Sequence, residues 1–384
     1  MIAAIEHWLL SEGPAHDSLG ELVRGLTRAF NEHGVPLSRV FLGPLVLHPQ
    51  AAGLVVIYDH ASDSLREFPL LHETYERLHA EKRTPMAHII NEETPLRAAL
   101  HRGEDLGMED LAQLRDQGFT DFIAVPIHVG GRLVAGMTLT TQAPAGFSAD
   151  EAELLVAMTR AFGPVSMLYV QRFEQRELLK AYLGADAGER VRAGQVRRGQ
   201  GRTLRAAIAF FDMRGFTQLS ASHPRDEVLD LLNDVFAVLV AEVQAQGGEV
   251  LKFMGDGMLA VFLDEDPAKA CHAALASGRA CLEGVDIVHA RRIAQDQAAT
   301  RVGIGLHHGD VMYGNIGAPG RLDFTVIGPA VNLAARVEAL CRGLGEELLM
   351  TSTFAGYLDE PVASRGAHPL KGVDAPVEVF ALPR

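Results

Sequence analysis

AAIAFFDMRGFT, residues 206–217, is the stretch on which the fold of the C-terminal half turns. Ala206 to Phe211 form an unbroken apolar run that predicts a strand buried on both faces. The run ends on a carboxylate, Asp212, then passes through a turn into an amphipathic helical stretch. A carboxylate at a strand tip beside a helix N-terminus suits a hard cation held next to a phosphate chain. Arg214, Gly215, Phe216 and Thr217 would present backbone amides to that chain.

Working outward, GGEVLKFMGDGMLAVF (247–262) reads as a strand, a tight Gly255-Asp256-Gly257 turn and a second strand. An Asp-Gly turn alone is usually only a turn. Here a second carboxylate at a hairpin tip can meet Asp212 across adjacent strands and clamp two ions, which in two-metal sites lie roughly 3.5–4 Å apart. The segment TRVGIGLHHGDVMYGNIGAPGRLDFTVIGPAVNLAARVEAL (300–340) adds two strands, a Gly-rich connection and a helix starting near Gly328-Pro329. Asn332 and Arg336 are one helical turn apart and share a face. The Asn can orient a ribose oxygen, and the forked donors of the Arg can stabilise charge on a transferring phosphoryl group. His307 and His308, flanked by glycines at a strand end, are read as structural rather than as metal ligands.

Composition narrows the class. The chain has 384 residues, 48% hydrophobic and 22% charged, enough for about two domains. A net charge of −14 argues against a general nucleic-acid binder, whose phosphate contacts need surplus Lys and Arg. Cys271, Cys281 and Cys341 lack metal or disulfide spacings and read as buried small residues in a reducing compartment. MIAAIEHWLL is too short and too interrupted for a signal peptide, and no stretch approaches the roughly 20 apolar residues of a membrane span. The expected location is cytoplasmic.

Residues 184–205, rich in Gly and carrying six arginines, read as a linker and solvated hinge. Ahead of it, residues 17–34 predict a helix capped by Asp17 or Ser18, followed by the β-rich runs RVFLGPLVLH and AGLVVIYD. FIAVPIHVGGRLVAGMTLTT predicts a hairpin turning at Gly130-Gly131, with His128 a pocket or surface residue. The closing segment FSADEAELLVAMTRAFGPVSMLYVQRFEQRELLKAYL offers Leu154, Leu155, Met158, Phe162, Val165, Leu168 and Phe173 as one apolar stripe. Pro164 should kink or interrupt that helix, and the stripe is long enough to pair with its twin in a dimer.

Two resemblances follow. The order helix, strand, strand, helical insert, hairpin, exit helix over residues 17–165 resembles a GAF domain. That resemblance implies a small-molecule ligand or a dimerisation scaffold; Thr140, Thr141 and Gln142 replace the Asn-Lys pair of cyclic-nucleotide-binding members, and no cysteine is present to anchor a bilin. FFDMRGFT, KFMGDG, GIGLHHGDVMYGNIG, FTVIGPAVNLAAR and LKGVDAPVEVFAL resemble the successive signatures of class III adenylate and guanylate cyclases, and LKAYLGADAGERVRAG resembles the short transducing element ahead of bacterial members.

The cyclase resemblance implies an α+β chain: a GAF-like domain over 1–165, a helical and Arg/Gly-rich linker over 166–202, and a ferredoxin-like catalytic domain over 203–384. It implies that Asp212, Asp256 and the Met213 carbonyl bind two Mg²⁺ or Mn²⁺ ions, that Asn332 orients the ribose and that Arg336 stabilises the pentavalent phosphorus. The triphosphate lysine falls at Lys371, or nearer Val373. Lys252 matches the residue that reads adenine, and its partner is Thr325, where many members have Asp, as in the bicarbonate-responsive bacterial subgroup. The implied substrate is ATP, with GTP or a pyrimidine nucleotide and a silent scaffold as alternatives. Because all seven side chains occur in one chain, a homodimer can form two complete sites. The general base stays open between Asp212 and water.

Overall fold

Local chemistry sets each element before packing joins them. The computed structural model describes residues 2–80 and 83–383, and the chain divides into two units, Met1–Leu178 and Leu179–Arg384.

The first unit opens with α1 (Ile2–Ser11), which the sequence had offered only as an interrupted apolar run, and α2 (Leu19–Glu32). Ser18 caps α2 by accepting from the Glu21 amide at 3.2 Å. Strands β1 (Arg39–Pro44), β2 (Ala51–Asp59) and β3 (Ser64–Leu71) lead to α3 (His72–Ala80) and α4 (Pro85–Glu92). Then come β4 (Leu96–Ala98), α5 (Glu109–Asp116), β5 (Asp121–Val129), β6 (Arg132–Thr141) and the 35-residue α6 (Ala149–Leu183). The sheet order is β3-β2-β1-β6-β5-β4, antiparallel throughout. β3 is mostly exposed, so it lacked the apolar alternation that marks a half-buried strand.

Alternation along β1 separates two faces. Val40 and Leu42 join a core with Leu22, Leu26 and Phe30 of α2 and Leu155 and Phe162 of α6. Phe41 and Gly43 face the other way, toward a cavity of about 330 Å³ also lined by Leu70, Tyr75, Met86 and Ile90. The hairpin turn has Gly130 and Gly131 at φ 60° and 78°, the conformation that a two-residue turn of this hand requires. Pro164 does not end α6. Buried side chains on both sides of it, Phe162 and Val165 among them, hold the helix through the missing amide. Leu168 leaves the expected stripe and is 41% exposed.

The second unit starts with α7 (Ala185–Arg192), β7 (Gly201–Met213), α8 (Phe216–Ser222), α9 (Arg225–Ala245), β8 (Glu249–Met254) and β9 (Gly257–Phe262). It continues with α10 (Pro267–Ala294), β10 (Val302–Ala318), β11 (Arg321–Ile327), α11 (Pro329–Leu344), β12 (Leu348–Thr351), α12 (Ser352–Ala355), β13 (Ala363–His368) and β14 (Val377–Ala381). Strands β10-β7-β9-β8 lie side by side and antiparallel, with α9 and α10 as the crossovers, which is the ferredoxin-like βαββαβ pattern. The hinge expected over 184–205 is partly element: α7 occupies its start and β7 begins at Gly201.

Residues of β7 alternate between two cores. Ala207, Ala209, Phe211 and Met213 pack with α9 and α10. Ala206 and Ile208 pack on the opposite side with Ala330 and Ala334 of α11. Asp212 follows the second series by strand parity, so its carboxylate belongs to the α11 side.

Candidate active site

Asp212 pairs across the sheet with Gly257 of β9 and with Gly303 of β10. Beyond it, the Met213 amide donates to the Asp256 carbonyl at 3.3 Å, tying the two strand tips together. Gly255 adopts φ 67°, the left-handed backbone that lets the β8–β9 hairpin close in two residues and set Asp256 at its tip. Burial and then the charge of Asp256 raise the Asp212 pKa, while Arg214 opposes them. Two carboxylates held this way repel one another and gain from a cation between them.

The loop after Asp212 corrects one expectation. The Arg214 amide is already engaged with the Arg301 carbonyl at 2.8 Å, so it is not free for a phosphate. Gly215 has φ 68° and caps α8, whose first closed bonds run from Gln218 and Leu219 back to the Gly215 carbonyl. The amides of Phe216 and Thr217 precede those bonds, in the turn that helices leave unsatisfied.

Two groups of this region were not legible in the sequence motifs. Glu338 of α11 is 8% exposed, and its carboxylate converges with the Arg214 guanidinium over Gly303, where a Cβ would collide with Glu338 Oε1. Burial, then the charge of Asp212, pushes Glu338 up to about 7. Gly305 is required for the same close approach, since a Cβ there would collide with the Ala334 carbonyl oxygen. Arg301, next to the acid loop, forms ion pairs with Asp286 at 3.2 Å and Glu347 at 3.7 Å.

On α11 the remaining site residues lie on the other side. Asn332 is exposed and Arg336 half-buried, whereas Ala334, Val337, Glu338 and Cys341 are buried. Leu370 packs against Val337 and Cys341, which brings the following turn to Arg336: a Cβ at Gly372 would lie 3.6 Å from Arg336 Nη2. Lys371 is exposed on that turn, and the Val373 amide donates to the Leu370 carbonyl at 3.1 Å.

Thr325 on β11 is 3% exposed, and its hydroxyl has no hydrogen-bond partner among the described residues. A buried hydroxyl left unpaired costs free energy, which a ligand able to bond it would recover. Lys252 of β8 lies against the same strand, with Nζ 3.2 Å from Asp323 Oδ2. Asp323 sits two residues before Thr325 and therefore on the same strand face; that spacing was the available signal for it. The structure thus brings together the acid pair at the strand tips, Lys252 with the strand that carries Thr325, and Arg336 with the Lys371 turn, while Asn332 stands exposed on α11.

His307 and His308 lie inside β10, not at its end. Both are buried, and His307 Nδ1 lies 2.8 Å from Thr351 Oγ1. Burial lowers His307 to about 4, so it is neutral at physiological pH. All three cysteines are free and buried. Among the described residues no group of three or more His, Cys, Asp or Glu gathers as a protein-only metal site. The acid pair still fits hard divalent ions, which bind through one or two carboxylates when substrate phosphates supply the rest.

The ferredoxin-like sheet, the paired strand-tip carboxylates and the Asn/Arg helix face together define a class III nucleotide cyclase domain. Residues 200–383 match the family model of the adenylate and guanylate cyclase catalytic domain, and residues 25–163 match that of the GAF domain. The chain therefore carries a GAF domain followed by an adenylate and guanylate cyclase catalytic domain; such catalytic domains act on nucleotides, are generally divalent-metal dependent and typically dimerise. An uncharacterised protein of Mycobacterium tuberculosis is 36% identical over 230 residues, 56% of this chain and 39% of that protein. A protein of Anabaena cylindrica named adenylate cyclase is 34% identical over 163 residues, 42% of this chain and 32% of that protein. The chain thus spans about two fifths of the length of the first relative and a third of the second. The solved structure of a bacterial light-regulated adenylyl cyclase shares the fold at TM-score 0.51 and 18% identity, covering 90% of this chain and 94% of that one. No helix among the described residues is long and apolar enough to cross a membrane.

Proposed function

We propose that this chain is an adenylate cyclase that converts ATP to 3′,5′-cyclic AMP and pyrophosphate in a homodimer with two shared sites. The observation that carries the choice of ATP is the buried, unpartnered Thr325 hydroxyl on the strand against which Lys252 lies. A hydroxyl can accept from the adenine 6-amino group and an ammonium can donate to a ring nitrogen. The relative named adenylate cyclase supports the same substrate.

Asn332 holds the ribose so that its 3′-oxygen faces the α-phosphorus in line with the pyrophosphate leaving group. Arg336 donates to the charge that builds on the phosphoryl oxygens, and Lys371, beside it, holds the β- and γ-phosphates. Phe216 and Thr217 amides at the start of α8, with that of Gly215, receive phosphate oxygens. Asp212, Asp256 and the Met213 carbonyl would hold two Mg²⁺ or Mn²⁺ ions, which when bound would lower the pKa of the 3′-hydroxyl and neutralise charge on the leaving pyrophosphate. The acid pair of one chain completes the Asn332–Arg336 face of its partner, and residues 1–178 regulate how the halves close. Bicarbonate stimulation goes with Thr325 in place of Asp.

The test is turnover of ATP and of GTP by the purified chain, with Mg²⁺ and with Mn²⁺, with and without bicarbonate. Cyclic AMP formation that disappears in Asp256→Ala is the expected result. Preferential formation of cyclic GMP would overturn the role given to Lys252 and Thr325.

A further inference from the structure

A partly buried polar network of the second unit joins residues given no role above. The Tyr313 hydroxyl, on β10, lies 2.9 Å from Asp186 Oδ2 and 3.0 Å from Glu249 Oε2, one hydroxyl shared by two carboxylates. Glu249 turns its other oxygen to the first turn of α7, accepting from the amides of Asp186 at 2.9 Å and Ala187 at 3.2 Å. Arg190 closes the set by pairing with Asp186 and lying over the Tyr313 ring, 5.7 Å from its centroid. Although burial opposes it, the hydrogen bonds from Arg190 and Tyr313 keep Asp186 below the usual carboxylate range, while burial raises Glu249.

The three elements tied by this network are connected to different things. α7 follows directly on the end of α6, with only Gly184 between them. Gly184 has φ 92°, and a Cβ there would lie 3.0 Å from Glu249 Oε1, so the joint itself is seated on Glu249. Glu249 begins β8, which carries Lys252 three residues later, past an irregularity in the β8–β9 register between Val250 and Lys252. A strand whose ladder is interrupted depends on side-chain anchors for its position. Tyr313 belongs to the third element, β10, and reaches β11 through its ring, which packs edge-on against Phe324 with centroids 4.9 Å apart; Phe324 is the chain neighbour of Thr325.

We propose that Tyr313 is a positioning residue for purine discrimination: its hydroxyl locks α7 to β8 and β10, so that displacement of the α6–α7 joint is delivered to Lys252 and Thr325. The inference rests on the reading of those two residues as the base-reading pair. No group of the network is among the residues assigned above to the base or the phosphates, so its effect should fall on which nucleotide is held and not on the chemical step. The device needs only that the two seatings of α7 differ in affinity for the nucleotide, which is the condition for any such coupling.

The experiment uses the full chain. Equilibrium binding and steady-state turnover of ATP and GTP are measured for the wild type, Tyr313→Phe, and Tyr313→Phe combined with Glu249→Gln. Val288→Ala, in the core of α10, serves as a control that lowers stability elsewhere. Loss of the single Tyr313 hydroxyl donor that the two carboxylates share should lower the ATP-over-GTP preference about five-fold, mainly through weaker ATP binding and KM, with kcat changing less. In the double variant, the side-chain amide introduced by Glu249→Gln can donate to Asp186 in place of the lost hydroxyl and should restore most of that preference. Val288→Ala should lower Tm without moving it. A Tyr313→Phe chain with lowered Tm and an unchanged ATP-over-GTP preference overturns the proposal. A wild type that binds both nucleotides without turnover overturns the cyclase reading alone, and one that binds neither overturns both.

Discussion

Two aspartates, one in each unit, show how differently the two halves treat a carboxylate. Asp121 in the N-terminal unit is 1% exposed and fully provided for: Arg97 Nη2 donates at 2.7 Å, the Phe122 amide at 2.9 Å and the Phe147 amide at 3.0 Å. Asp212 in the C-terminal unit faces another carboxylate, and burial and that neighbour together raise its pKa. The first arrangement has its charge balanced within the fold and serves the fold. The second leaves an electrostatic deficit that only an added cation or a proton can relieve, which is the condition expected of a site built for chemistry.

The contrast can be broken most forcefully at the acid pair. Asp256→Ala should reduce turnover by about 10³-fold or more, the scale on which electrostatic catalytic groups act, while thermal stability in the absence of divalent ions stays level or rises. Turnover and melting measured on one preparation check both halves of that statement. Asp121→Ala should do the reverse. It leaves the buried amides of Phe122 and Phe147 without their acceptor, at about 1–3 kcal/mol each, while Arg97, 40% exposed, keeps the Phe147 carbonyl and solvent; a loss of stability in urea unfolding, assigned to residues 1–178 by proteolysis, is the expected result.

Glu338 gives a smaller effect with a defined sign. Its carboxyl rises from an ordinary 4.5 to about 7 in the fold, so the folded state binds the extra proton. Stability from this group is complete below about pH 4.5 and is lost as pH rises toward 7, a change on the order of 3 kcal/mol. Glu338→Gln should flatten the pH dependence of ion-free unfolding across that window; an unchanged slope would show that Glu338 is not the group responsible. Thr325→Val is the finest probe. Removing a buried, unpaired hydroxyl should stabilise the nucleotide-free chain by about 1 kcal/mol and lower kcat/KM for ATP by up to about ten-fold. A variant with both quantities unmoved would leave Thr325 without a role in reading the base.

Much of this was legible in the sequence because the signals are local. An apolar run ending on Asp212, a Gly255-Asp256 turn between strands, and Asn332 and Arg336 on one helical turn each announce their geometry within a dozen residues. What escaped depends on distant partners. Asp323 meets Lys252 from 71 residues away, and Glu338 looks like a surface acid until α11 is laid over Gly303. The segment 184–205 read as a hinge because it lacks large apolar residues. Ala187 is nonetheless completely buried, and a Cβ on Gly188 would lie 2.9 Å from the Leu179 carbonyl carbon, so small residues here permit close docking. Pro164 shows the opposite case: a strong local breaker does not interrupt α6, which packing on either side carries through it.

The central claim is that each chain carries two half-sites that complete each other only across a dimer. Its most direct test mixes two inactive chains, Asp212→Ala and Arg336→Ala, and measures cyclic AMP formation. Random pairing in an equal mixture leaves one intact site in half of the dimers, so activity should return to about a quarter of the wild-type value. A mixture that exchanges subunits yet stays as inactive as its components would contradict the claim.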